Sequence, residues 1–510
     1  MIMIRPDISL RRLALFALPL LALTSGIAAQ GQAGPAVPAA APAAKTSQPP
    51  GAARLAKLAH EYLTGAQRHE QFLGTVLIAR RGEPVFVRSY GQASIELGVP
   101  NRRETRFAIA SITKQFTAVA IMRLREAGKL DLDDPICRHL DDCPAAWQPV
   151  TIRHALAHTS GIPNISGLAD WDERIGRIPD SPRGLLRHVR DLPLQFEPGS
   201  RFRYSNTGYH LLGLVIEKHS GMSFGRYLAQ EFFTPLGMTA TGLLDYHSII
   251  PNRATGYYWK ANAFSLPLSE YPGHAYAAGG LYSTVDDLLR WANALDSDRL
   301  LPAAARREME VPGQGDYGLG FELGKIGPHR HVGHAGSVPG FSTYLARFPD
   351  DGLTVVVLSN SDPASANRVM RSLAAIALGQ PYEQARPQLF NVLWTIVQSD
   401  GGAAAAQHVR ALRAAGDPAV KGNLERLLNV LGYDLKANER LPDALHIFRL
   451  NVELFPQSAN VHDSLGEALL QAGDRAAARS SYERALQLDP ASTTAAKALS
   501  QLRGEAAPGK

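Results

Sequence analysis

The stretch Phe107-Ala108-Ile109-Ala110-Ser111-Ile112-Thr113-Lys114-Gln115-Phe116 decides how the rest of the chain is read. An apolar run with helical spacing starts here and continues through Leu124. Ser111 and Lys114 stand three residues apart, so a helix beginning at this point sets both on one face. The lysine amine then reaches the serine oxygen. A hydroxyl at a helix N-terminus also meets unpaired backbone N–H groups and the positive end of the dipole, and both favour a developing alkoxide. A hydroxyl is a poor nucleophile until a neighbouring base or cation activates it. The competing reading is a Ser N-cap followed by a solvated Lys, since about one Ser-x-x-Lys arises by chance in a chain of this length. Two later stretches decide between them.

The first is Phe196-Glu197-Pro198-Gly199-Ser200-Arg201-Phe202-Arg203-Tyr204-Ser205-Asn206-Thr207-Gly208-Tyr209, ahead of an apolar run over 211–216. A Tyr two residues before an Asn, in a loop entering a helix, aims both side chains into a cleft. A nearby ammonium is expected to lower the phenol's pKa and fit Tyr204 for proton transfer. The alternative is a buried Tyr with a satisfied hydroxyl and an Asn holding a turn. The second stretch is Arg330-His331-Val332-Gly333-His334-Ala335-Gly336-Ser337. It reads as an edge strand that offers backbone N–H groups to a reacting carbonyl oxygen, with Gly336 letting substrate approach the backbone. His329, His331 and His334 lack an accompanying carboxylate or Cys, so no metal site is expected.

Ser111-x-x-Lys114, Tyr204-x-Asn206 and His334-x-Gly336 together resemble the penicillin-recognising serine hydrolases, in both order and rough spacing. The form of the second element is similar to that of class C β-lactamases, D-aminopeptidases and β-lactamase-like esterases. Ala157-His158-Thr159-Ser160-Gly161, Pro235-Leu236-Gly237-Met238, Gly279-Gly280-Leu281-Tyr282-Ser283-Thr284 and Tyr317-Gly318-Leu319-Gly320-Phe321 support the resemblance, which covers about residues 55–380. It implies acyl transfer through a covalent ester at Ser111, with Lys114 and Tyr204 handling the proton. Asn206 would position Lys114 and substrate; His334, Gly336 and Ser337 would complete the substrate-binding wall, with backbone N–H groups of Ser111 and Ser337 holding the oxyanion. No cofactor is implied. Many relatives carry Lys-Thr-Gly where this chain has His334-Ala335-Gly336. A His is mostly neutral above its reference pKa of about 6.5, so anionic β-lactams are expected to be poor substrates relative to esters, amides or D-amino-acid peptides.

Further elements fix the layout. Residues 75–79 and 85–87 flank Arg81-Gly82-Glu83, and residues 342–348 and 353–358 flank Pro349-Asp350-Asp351-Gly352; each pair reads as a β-hairpin. Mostly helical sequence lies between them. The expected class is α+β: an antiparallel sheet flanked by helices, with a helical subdomain. From residue 383 the chain turns Ala/Leu/Arg-rich and helical, and Gly432, Ala444, Phe448 and Pro456 recur 34 residues later as Gly466, Ala478, Tyr482 and Pro490. That period resembles the tetratricopeptide repeat. The expected organisation is a signal over 1–29, a disordered Ala/Pro-rich leader over 30–52, a hydrolase domain over 53–382 and an all-α repeat domain over 383–505.

Residues 1–29 carry Arg11-Arg12, an apolar run over 13–23 and small residues to Ala29, the pattern of a secretory signal. A periplasmic or secreted protein with no stable membrane span after cleavage follows. Cys137 and Cys143, the two cysteines, are then expected to pair in preference to binding metal with His139. The formal charge is +6, of which +2 belongs to residues 1–29, and no basic run or aromatic–basic alternation occurs. This excludes a nucleic-acid footprint. The expected partners are a small-molecule or peptide substrate and a protein met by the repeats. The alternative function is a non-catalytic binder of cell-wall peptide or β-lactam that recruits a partner through those repeats.

Overall fold

A computed structural model describes residues 49–504 apart from Glu173, Tyr246, Ala261, Asn262, Ser269 and Pro363. The signal-like segment and residues 30–48 of the leader lie outside the described residues. Helix α1 spans Ala52–His69, so the last position of the expected leader already belongs to the fold. Strands β1 (Gly74–Arg80) and β2 (Glu83–Tyr90) follow. Arg81 and Gly82, both at positive φ (+50° and +82°), make the tight turn between them, the backbone hand that suits the twist of a two-residue hairpin.

The chain then leaves the sheet for more than two hundred residues. This excursion holds helix α2 (Thr113–Glu126), helix α3 (Asn206–Ser220) and helix α4 (Val285–Leu295). It returns as β3 (Glu322–Ile326), β4 (His329–Val338), β5 (Phe341–Phe348) and β6 (Leu353–Ser359), followed by α5 (Ala366–Leu378). The sheet runs β3-β4-β5-β6-β1-β2, all antiparallel. The two hairpins read from the sequence therefore share one sheet, joined where Val76 pairs with Val357.

Every residue of β6 is buried, because both sheet faces are covered. Side chains alternate between faces along a strand. Val76, Ile78, Val355 and Val357 pack beneath α1 and α5 with Tyr62, Met370 and Leu373. Leu77, Val356 and Leu358 turn the other way into the helical region, with Phe116 of α2 and Trp291 of α4. Phe116 stacks on Trp291 at 3.9 Å between ring centroids, which ties the helix bearing the Ser-x-x-Lys pair to the one beneath the sheet. In the helical region, Cys137 and Cys143 form a disulfide. His139 hydrogen-bonds His219 and Asp134 instead of sharing a metal with the cysteines.

The C-terminal part is all helix: α6 (Leu389–Ala414), α7 (Leu424–Ala437), α8 (Leu441–Leu454), α9 (Ala459–Gln471), α10 (Arg475–Leu488) and α11 (Thr493–Gly504). The 34-residue recurrence has a packing cause. A Cβ on Gly432 would stand 2.6 Å from the Phe448 ring, and one on Gly466 would stand 3.0 Å from Tyr482. Each repeat thus seats an aromatic ring on the backbone of its first helix. Asn391 of α6 joins this array to the rest of the chain, accepting from the Trp259 indole and donating to Gln71. No described helix is long and apolar enough to cross a membrane.

Candidate active site

Ser111 lies in a single 3₁₀ turn, Ala110–Ile112, that runs straight into α2. Ala110 before it has φ +48°, an uncommon conformation for a residue with a Cβ. Lys114, in the first turn of α2, is fully buried. Its Nζ stands 3.1 Å from Ser111 Oγ, 2.9 Å from Asn206 Oδ1 and 2.7 Å from the Ala278 carbonyl oxygen. Burial depresses the Lys114 pKa well below the usual lysine range, and Glu322 opposes this only in part. Asn206 opens α3 and its Nδ2 donates to Ser166 Oγ, which leaves its carbonyl oxygen turned toward the amine.

Tyr204 meets the same group, with Lys114 Nζ 4.7 Å from its ring centroid. The expected lowering of its pKa is overturned. Burial pushes the phenol well up, and a hydrogen bond with Ser111 opposes only part of the shift. The sequence argument weighed the nearby cation but not the removal of both groups from water, which disfavours phenolate and ammonium alike. His158 packs against the Tyr204 ring at 4.1 Å and accepts from the Ser205 backbone N–H, which holds the segment in place.

His334 is 1% exposed and hydrogen-bonds the Tyr317 hydroxyl through Nε2 at 2.8 Å. Its ring centroid lies 6.2 Å from that of Tyr204, and neither ring is among the residues that line the cavity before Ser111. Burial lowers its pKa further, so the imidazole is neutral. His329 bonds Asp351 and His331 packs against Phe348, so the three histidines diverge. No cluster suited to a metal ion occurs among the described residues.

Two expectations for β4 are corrected as well. The strand is second in the sheet, but β3 pairs only with residues 329–333, so residues 334–338 have an open side. The Ala335 N–H faces that side, where it donates to the Glu322 carboxylate. Backbone N–H groups two residues apart point the same way along a strand, so the Ser337 N–H faces it too. Gly336 admits the chain, not substrate: a Cβ there would lie 2.3 Å from both the Ile109 carbonyl oxygen and Thr343 Oγ1. The missing side chain lets β4 close on the turn that carries Ser111.

Ser111, Asn206 and Ser337 line one cavity of about 330 Å³ with Ser166, Trp171 and Tyr258. A hydroxyl, a buried amine and an outward backbone edge around such a space form a constellation for acyl transfer. The profile of the Beta-lactamase family matches residues 35–379, and that of the tetratricopeptide repeat matches residues 459–492. The chain belongs to the Beta-lactamase family. It is a serine hydrolase with a β-lactamase- and penicillin-binding-protein-like fold and a C-terminal repeat region. Penicillin-binding protein 4* of Bacillus subtilis is 33% identical over 345 residues, which are 63% of this chain and 75% of that protein. Among solved structures, a penicillin-binding protein from Bacillus halodurans is 31% identical with a TM-score of 0.56, covering 62% of this chain and 98% of its own. D-amino acid amidase from Ochrobactrum anthropi SV3 is 26% identical with a TM-score of 0.55, covering 64% and 97%.

Some members of this Beta-lactamase-family site were not singled out from the sequence. His210 follows Asn206 by four residues on α3 and so shares its face, a legible signal. The Ala278 carbonyl is a backbone group with no side-chain signature. Asp362 reaches the cavity from just beyond β6, placed there only by the return of the sheet.

Proposed function

We propose that Ser111 is the nucleophile, Lys114 its base, and Tyr204 the group that passes the proton onward. The observation that carries this is the set of neighbours around Lys114 Nζ. A neutral amine has two N–H bonds and one lone pair. The Asn206 and Ala278 oxygens can only accept, so they take both N–H bonds and leave the lone pair for the Ser111 hydroxyl proton. The alkoxide then attacks a carbonyl carbon, and the backbone N–H groups of Ser111 and Ser337 hold the oxyanion. The Lys114 ammonium returns its proton through Tyr204 to the departing amine or alcohol. Water, giving up a proton by the same route, releases the acyl group and restores the hydroxyl.

The substrates of this reading are esters, amides or D-amino-acid peptides, with weak β-lactam turnover. The D-amino acid amidase among the similar structures supports the class. A neutral, buried His334 supports the weakness toward carboxylate-bearing substrates, since a lost charge-assisted contact of about 1.5–3 kcal/mol weakens binding about tenfold to a hundredfold. Export to an oxidising compartment is supported by the Cys137–Cys143 bond, and a protein partner by the repeats. Labelling with a fluorophosphonate tests the reading: a stoichiometric adduct on the wild type, absent from Ser111→Ala, is expected. No Ser111-dependent adduct with this probe or with a labelled penicillin would return the protein to the non-catalytic class.

A further inference from the structure

The two ends of the Asn206 amide offer opposite things: an oxygen that accepts and an NH2 that donates. With the oxygen toward Lys114 Nζ, at 2.9 Å, the neutral amine uses an N–H there and keeps its lone pair for Ser111. With the amide turned over, its NH2 would take the lone pair, and an amine N–H would point at the Ser111 oxygen. The nucleophile would then face a donor instead of a base.

The contacts around the other end of the amide select between these two states, and the selection starts from a backbone group. The Asn206 N–H, which can only donate, lies 3.0 Å from Asn164 Oδ1 and fixes that atom as an oxygen. The same oxygen stands 3.2 Å from Ser166 Oγ. Because it only accepts, the single hydroxyl proton of Ser166 points at Asn164. Toward Asn206, Ser166 Oγ is then purely an acceptor, and Asn206 Nδ2 lies 2.9 Å from it. The segment that carries both residues is clamped on the start of α3. The Ile165 N–H donates to Thr207 Oγ1 at 2.9 Å, and that hydroxyl donates to the Pro163 carbonyl oxygen at 2.8 Å.

We propose that Asn164 and Ser166 are positioning residues for acylation, a relay that carries the polarity of one backbone N–H to the lone pair of Lys114. The hydrogen bonds of the amine itself go to Ser111, Asn206 and Ala278, so the relay acts only through Asn206. This inference rests on the reading of Lys114 as the base. Its consequence is a link between rate and titration. Without the relay the amide turns over while Lys114 is neutral, but not while it is an ammonium, which has three donors and no acceptor for the NH2. The added neutral state lowers the Lys114 pKa by the same factor by which it dilutes the productive arrangement. A variant therefore loses rate on the plateau of kcat/KM and shifts its acid limb to lower pH by the logarithm of that loss. At pH below the limb the two effects cancel, and the wild-type rate is kept.

The test is the pH profile of kcat/KM for a neutral nitrophenyl ester, which reports groups of the free enzyme. Beside it, the Lys114 titration is followed by NMR of its Cε in full-length protein labelled with carbon-13 lysine, the signal being assigned by its loss in Lys114→Ala. Ser166→Ala and Asn164→Ala should each lose at least tenfold on the plateau. Their acid limb and Lys114 titration should move down by at least one pH unit, with acid-side rates superimposed on the wild type. Ser166→Thr, which keeps the hydroxyl, should follow the wild-type profile. A plateau loss with the limb in place, as a merely structural fault would give, or full activity in both alanine variants, would overturn the proposal. A wild type that turns over neither ester nor amide, beside a Lys114 titration that still moves down in Ser166→Ala, would sink the acylation reading and leave the relay standing. Ser111-dependent turnover with limb and titration unmoved in both alanine variants would do the reverse.

Discussion

The carbonyl oxygen of Ala278 lies 2.7 Å from Nζ of Lys114, and this backbone contact helps fix which way the amine turns its lone pair. Lys114 works as a base only when neutral, and its depressed pKa extends the neutral form to lower pH. Catalytic rate should therefore fall on the acid side as pH drops through the Lys114 pKa. Glu322 raises that pKa, so Glu322→Gln should move the acid limb of the kcat/KM profile to lower pH. Gln keeps an oxygen for the Ala335 N–H and the Tyr344 hydroxyl that Glu322 accepts from. Lys114→Ala should slow fluorophosphonate labelling about 10²–10⁴-fold, the usual worth of a positioned base. An acid limb that stays in place or moves to higher pH in Glu322→Gln would remove Lys114 as its origin.

His334 hydrogen-bonds Tyr317 and lies 6.2 Å from the Tyr204 ring, so its substitution should reach the chemistry through these two rings. His334→Ala leaves the buried Tyr317 hydroxyl without the partner it has at 2.8 Å, a loss of about 1–3 kcal/mol. Thermal melts should show that loss. On a neutral ester the variant should lower kcat and leave KM within twofold, because the ring does not line the cavity. A raised KM with kcat intact would restore it as a substrate contact.

The sheet and the site were legible to different depths. Arg81-Gly82 and Asp350-Asp351-Gly352 announced two hairpins because turn chemistry is local. The 34-residue period announced the repeats because Gly432 and Gly466 each face an aromatic ring at the same offset. The Ser111–Lys114 contact followed from helix spacing, and the contact of Asn206 with Lys114 from what the three-motif resemblance implies. What the sequence concealed is collective. The pKa directions of Tyr204 and Lys114 depend on how much protein excludes water around both. The role of Gly336 depends on the Ile109 carbonyl more than two hundred residues away, and the cavity before Ser111 needs separate segments, those of Ser166, Asn206, Tyr258 and Ser337 among them, brought together by the fold.

Burial holds the His210 pKa at about 3 in the folded protein, against about 6.5 in the unfolded chain. The sign follows from which state takes up the proton. Between those values the unfolded chain is protonated and the native ring is not, so stability falls as pH is lowered from about 6.5 toward 3. One such group contributes about 1.4 kcal/mol per pH unit through that window. Denaturant melts at pH 7, 6 and 5 should show declining stability, and His210→Gln should flatten the decline by roughly one group's share. An unchanged slope in the variant would mean that His210 is protonated in the native state.

Gly336→Ala tests whether strand β4 must close on the nucleophile turn. The added Cβ would meet the Ile109 carbonyl oxygen and Thr343 Oγ1 at 2.3 Å and the Ala110 Cβ at 3.2 Å. Two of these are backbone or Cβ atoms that cannot swing aside, so β4 has to move away from residues 109–111 or the turn has to shift. Overpacking of this kind usually costs about 1–3 kcal/mol. The displacement also separates the Ser111 and Ser337 N–H groups, whose joint hold on an oxyanion requires donors within about 3 Å of it. The variant should therefore fold with a lowered melting temperature and lose at least tenfold in kcat. Its KM for a neutral ester should change less than its kcat, because the oxyanion develops only during the reaction and losing its donors costs the transition state more than the bound ester. Full kcat together with an unchanged melt would show that the sheet accommodates the methyl group and that the close approach is not needed for turnover.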